Sequence, residues 1–133
     1  MNLLLDTHTL IWALEDNPKL ALPARELIID VNNSIFVSIA SLWEIAIKKS
    51  AKKDFPYDVE TIISLCSRIG VRFLAIGLEE IKNFNNLKIK ENEIVNNDPF
   101  DKILISQAKV NKMKLLTHDH LIAKYDEDCI ISF

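Results

Sequence analysis

Apolar residues fall along this chain in short bursts of two kinds. Asn2 to Leu5 is a brief run without polar alternation, the pattern of a strand covered on both faces, and Ile35-Phe36-Val37, Arg72 to Ile76, Lys114 to Thr117 and Cys129 to Ser132 read as further strands. Between them the spacing is helical. Thr7 to Glu15 carries Leu10, Ile11, Trp12 and Leu14 and stops at Asp16-Asn17-Pro18; a second helix is predicted from Pro23 to about Val31. Ser38 offers an N-cap to a helix from Ile39 to about Ser50, and Val59 to Arg68 leads to Gly70 as a C-terminal stop. Leu78 to Phe84 gives a short helix. Asp98-Pro99-Phe100-Asp101 opens another that runs to about Asn111 with Ile103, Leu104 and Ala108 inward, and His120 to Lys124 forms a last one. Asn85 to Asn97 is polar and without period, hence a surface loop. Strands alternating with helices predict an α/β fold with a mostly parallel central sheet.

Composition narrows the class. At 133 residues, the chain is expected to form one domain, 1–133, burying roughly two thirds of the surface its unfolded form exposes. Hydrophobic residues at 49% and charged residues at 26% exclude a low-complexity or disordered protein. A net charge of −3 does not mark a nucleic-acid binder, so any such substrate requires local cations. Cys66 and Cys129 lack metal spacing and read as core thiols. The Met1 to Asp6 segment has no basic leader region and no apolar run approaches a membrane span, so a cytoplasmic protein without membrane contact is expected.

The chemistry lies in the acids. Ligands of open parallel sheets bind beyond the carboxyl ends of strands, where Asp6 and Asp119 fall. Each equally serves as a helix cap. Glu44 sits in a helix whose neighbours Ile39, Ala40, Leu42, Trp43, Ile45, Ala46 and Ile47 leave little polar surface; a Glu so placed is paired, bound to metal, or held in a narrow solvent stripe with Ser41 and Lys48. Asp98 suits an N-cap, leaving Asp101 as the metal candidate on the first turn. Were Asp6, Glu44, Asp101 and Asp119 to converge, only a bound divalent cation would keep all four ionised near neutral pH, and an all-oxygen set favours Mg²⁺ or Mn²⁺.

These residues resemble a known family. Leu4-Leu5-Asp6-Thr7, Trp43-Glu44-Ile45, Asp98-Pro99-Phe100-Asp101-Lys102 with Ile105-Ser106-Gln107-Ala108, and Leu116-Thr117-His118-Asp119 occur in the order and spacing of PIN domains, along nearly the whole chain. The Asp-Pro-Phe-Asp and Thr-x-Asp pieces resemble the VapC-type toxins of type II toxin-antitoxin systems. The resemblance implies a three-layer α/β/α sandwich, Mg²⁺ or Mn²⁺ held by Asp6, Glu44, Asp101 and Asp119, endonucleolytic cleavage of RNA by metal-activated water, a homodimer, and a cognate antitoxin that inserts a segment into the groove. Asn96 departs from the pattern, standing where relatives often carry His.

Around the acids, Thr7, Thr117 and Asp98 are expected to hold carboxylates or, equally, to satisfy backbone. Lys48, Lys49, Lys52 and Lys53 form a dense basic patch which, with Lys102, is expected to contact RNA phosphates, although helix-end cations are favourable in their own right. His8, His118 and His120 lack zinc spacing, and Trp12 and Trp43 read as core. A phosphoaspartyl enzyme fits poorly, since the second acid it needs is replaced by His8; a response-regulator receiver fits no better. The remaining alternatives share the fold: a housekeeping RNA-processing nuclease, a DNA-cleaving one, or a non-catalytic binding module.

Overall fold

The computed structural model describes residues 1–95 and 97–133; the departure at Asn96 lies outside the described residues. Five parallel strands, β1 (Asn2–Leu5), β2 (Ser34–Ser38), β3 (Arg72–Leu74), β4 (Lys114–Thr117) and β5 (Ile130–Ser132), form one sheet in the order β3-β2-β1-β4-β5. The sheet is therefore parallel throughout. From β1 the chain steps outward to β2 and β3, then returns across β1 to β4 and β5, so the order reverses beside β1. Sheets of this kind bind ligands outside the carboxyl ends of the strands at such a reversal, here β1 and β4.

Alternation along each strand splits the core in two. Leu5, Val37 and Leu116 point to one face, where Leu10, Leu20, Ala24, Ile45, Ile62 and Cys66 pack from α1 (Thr7–Glu15), the loop after it, α2 (Leu22–Ile29), α3 (Ile39–Ala51) and α4 (Val59–Arg68). Leu4 and Leu115 point to the other, against Leu104, Ile105 and Ala108 of α6 (Pro99–Val110) and Ile122 of a 3₁₀ turn, Ile122–Lys124. Helices on both faces give the α/β/α sandwich. Cys66 and Cys129 are free, buried thiols. Among the described residues no helix is long and apolar enough to cross a membrane.

Some boundaries moved for local reasons. The second helix ends at Ile29 rather than Val31, which is 95% exposed and has nothing to pack against. Gly70 adopts φ +79 directly after the Ile69 cap, the left-handed position that suits glycine at a helix end. The short helix α5 (Leu78–Asn83) begins with the Glu80 carboxylate accepting from the Gly77 N–H, and Glu80 is buried because Asn111 Nδ2 also donates to it at 3.0 Å.

Candidate active site

Asp6, the N-cap of α1, takes two hydrogen bonds: the Thr9 N–H donates to Oδ1 at 2.8 Å, and the Thr117 hydroxyl donates to Oδ2. The carboxyl is 4% exposed. Burial pushes its pKa up, while the bonds from Thr117 and Thr9 and the nearby His8 pull it back. Thr117 Oγ1 also accepts from the Asp119 N–H at 3.0 Å, so one hydroxyl ties the end of β1 to the residue that follows β4. Asp119 in turn accepts from Leu121 N at 2.8 Å. Capping at Asp6 and Asp119 leaves a site role open, because a carboxylate has lone pairs to spare after one or two bonds.

Glu44 reaches the same end of the sheet from the second turn of α3. Thr7 Oγ1 donates to its Oε1 at 2.6 Å, and Lys48, one turn on, stands 3.6 Å from Oε2. Its side chain is 22% exposed, and Ser41 is buried, so no solvent stripe joins Ser41 to Glu44 and Lys48. Asp98 is the N-cap of α6 and accepts from Phe100 N at 2.8 Å, which leaves Asp101 on the first turn facing the other acids. The Asp101 pKa is pushed up to about 7, first by burial and then by Asp98, Asp119, Glu44 and Asp6. Negative groups from four separate segments therefore act on one carboxyl.

The acids face one another without closing into a cage: among the described residues, no three His, Cys, Asp or Glu side chains are close enough to hold one metal ion. The donor set still fits Mg²⁺ or Mn²⁺. It consists of hard oxygens, it carries uncompensated negative charge at Asp101, and Mg²⁺ keeps several waters and is commonly held by one or two carboxylates.

Two buried polar side chains fix the supporting elements. Ser38 caps α3 by accepting from Ala40 N at 2.9 Å, and its hydroxyl donates to Gln107 Oε1 at 2.6 Å. Gln107 Nε2 donates to the carbonyls of Leu74 and Ala75. Gln107 thus joins α6 to the ends of β2 and β3. Its place in the sequence motif was visible, but the partner lies 69 residues away in the chain and left no local signal.

The basic residues scatter. Lys49 Nζ donates to the carbonyls of Lys53 and Phe55, finishing its own helix, while Lys52 and Lys53 are exposed. Lys102 lies over the Phe84 ring, 4.4 Å from its centroid. Trp43 corrects the sequence reading. It is 62% exposed, packs edge-on to Phe100 at 5.3 Å and lines an apolar groove of about 470 Å³ with Ile47, Ile81, Phe84 and Ile103. Helix α3 is apolar nearly all round because part of that surface is left open. Trp12 is half-buried against the core, as expected, but it also carries the rings of His8 and His118 at its sides.

Comparison with known proteins finds no match among curated sequences. Among solved structures, the chain is similar to VapBC2 from Rickettsia felis bound to a DNA fragment from its promoter, with a TM-score of 0.67 and 16% identity, covering 100% of this chain and 98% of that one. It is also similar to a toxin-antitoxin complex from Klebsiella pneumoniae (TM-score 0.61, 17% identity, 97% and 95% covered). A third likeness is to VapBC-1 from nontypeable Haemophilus influenzae (TM-score 0.59, 20% identity, 90% and 88% covered). These identities speak to the fold. The sequence family model of the PIN domain matches residues 3–128, and the chain belongs to the PIN domain family.

Proposed function

We propose that residues 1–133 form one nuclease domain, a metal-dependent endoribonuclease that acts as the toxin of a type II toxin-antitoxin pair. The observation that carries this reading is the convergence on Asp101: burial and four neighbouring acids raise it to about 7, a concentration of negative charge that a divalent cation relieves. PIN domains are nuclease domains, and the toxin-antitoxin complexes that share this fold support an antitoxin partner.

In this reading Asp6, Glu44, Asp101 and Asp119 would hold Mg²⁺ or Mn²⁺, one or two of the carboxylates directly and the others through the ion's waters. When bound, the cation supplies Lewis acidity toward a phosphate oxygen and makes water a competent nucleophile for in-line displacement. The chain's own residues set the geometry. Thr117 and the Thr9 N–H fix both oxygens of Asp6; Thr7 and Lys48 fix those of Glu44; Asp98 starts the helix that presents Asp101. The exposed Lys52 and Lys53 attract RNA phosphates, which makes binding weaken as salt rises. Lys102 does the same from its place over Phe84. The apolar groove bearing Trp43, Ile47 and Ile81 suits the contact of a homodimer.

The test is incubation of the protein and its Asp6→Asn variant with a panel of structured RNAs, transfer RNAs included, and with matched DNA, in Mg²⁺, Mn²⁺ or EDTA. Discrete RNA cuts that need metal and vanish in the variant are expected. A protein that binds RNA or antitoxin yet never cuts under any metal would return the fold to the binding-module reading.

A further inference from the structure

Beside the acids, four rings from three separate parts of the chain come together. His8 and Trp12 are one helical turn apart on α1, with centroids 6.2 Å apart; His118, directly after β4, lies 5.5 Å from Trp12; Phe133, after β5, lies 5.2 Å from His118. His118 Nδ1 donates to the Phe133 carbonyl, which fixes the third ring against the fourth. Interplanar angles of 33° to 57° show tilted neighbours rather than a closed parallel stack. His8 and His118 are exposed, and Trp12 and Phe133 keep part of their surface in water. The row runs close to the chemistry: His8 is within electrostatic reach of Asp6, and His118 is flanked by Thr117, which bonds Asp6, and by Asp119.

Core packing accounts for Trp12 alone. Exposed imidazoles gain little from facing a tryptophan in water, whereas the open face of an aromatic ring is what an unpaired nucleobase stacks on. We propose that His8, Trp12, His118 and Phe133 form a stacking ledge that receives an unpaired base of single-stranded RNA next to the phosphate held at the acids. The proposal deepens the nuclease reading and rests on it for the identity of the polymer. The ring surface selects splayed bases and is indifferent to their sequence; a base-paired duplex, whose faces are already stacked, gains nothing from it.

Trp12 reports its own occupancy. In a chain carrying Trp43→Phe, so that Trp12 is the remaining tryptophan, and Asp6→Asn, so that RNA stays intact, emission is followed in Mg²⁺ on adding a single-stranded oligoribonucleotide. Abasic RNA of equal length and the duplex are the comparators. Quenching by the base-bearing single strand alone is expected. In the cleaving protein, His8→Ala and His118→Ala each raise KM roughly five- to hundred-fold with kcat within about twofold, as loss of one base–ring stack requires. A protein that cuts RNA while base-bearing and abasic strands leave Trp12 emission alike overturns the ledge and keeps the nuclease; RNA that binds away from Trp12, or does not bind, likewise overturns the ledge. Quenching by bases without cleavage under any metal keeps the ledge and removes the nuclease.

Discussion

Replacing Asp101 by Asn tests the electrostatic reading of the site without requiring a substrate. Asp101 rises from the ordinary 3.8 to about 7, so between these values the folded protein binds a proton that the unfolded chain releases. The sign follows: stability falls as pH climbs through this window, and the penalty is complete above about pH 7. In full, a rise of this size corresponds to ~4 kcal/mol. Asp101 keeps a side open to water, and screening reduces the figure to ~1–2 kcal/mol. In EDTA at pH 8, Asp101→Asn is therefore expected to raise Tm by roughly 3–8 °C. At pH 3, below both the ordinary 3.8 and the raised value, the wild-type carboxyl is largely protonated in either state and the two proteins should melt nearly together. Adding Mg²⁺ or Mn²⁺ at pH 8 narrows the gap, because a ligand at a hundred times its Kd adds about 2.7 kcal/mol to a protein that binds it. A variant no more stable than wild type at pH 8, or equally stabilised at both pH values, would refute the convergence of charge on Asp101. The stabilised variant should be inactive, as is common where a binding site keeps like charges together.

Three further outcomes concern the frame of the site. Thr117→Val leaves the buried Asp6 carboxylate and the Asp119 N–H short of a partner, costing about 1–3 kcal/mol in urea denaturation, and Thr117→Ser restores most of it. Gln107→Leu strands the Ser38 hydroxyl and the Leu74 and Ala75 carbonyls, with a similar loss of ~1–3 kcal/mol and reduced cleavage. Gly70→Ala meets no atom within 4 Å, so any loss comes from the backbone at φ +79 alone; about 1 kcal/mol is expected, with Gly70→Asn milder.

The legible parts of this fold were those that local pattern decides. Strand β4 occupies Lys114–Thr117 as read, and α1 occupies Thr7–Glu15, since an apolar run or an amphipathic turn with its cap needs no distant partner to be recognised. β3 stops at Leu74 although the apolar run continues to Ile76. It is an edge strand paired only with β2, whose last residue, Ser38, is opposite Leu74; beyond it Gln107, not a strand, takes the carbonyls. The helix expected from His120 shrinks to a 3₁₀ turn at Ile122–Lys124. At the site, Asp6, Asp101 and Asp119 could be located by their positions at a strand end or helix start, and Glu44 by the apolar residues around it on its helix. Thr7 and Thr117 were candidates to hold carboxylates, but which carboxylate each holds left no local signal: Thr7 to Glu44 and Thr117 to Asp6 span 37 and 111 residues. Trp43 shows the converse, where a hydrophobic pattern cannot distinguish a face turned to the core from one turned to an open groove.

The Ser38–Gln107 contact also bears on how this chain can vary. Ser38 starts the helix that carries Glu44, and Gln107 belongs to the helix that carries Asp101, so the spacing of those two acids is set by a pair of buried atoms 2.6 Å apart. Exchanges on the outer faces of either helix therefore leave the two acids in register, whereas a residue of another length at Ser38 or Gln107 shifts one acid against the other.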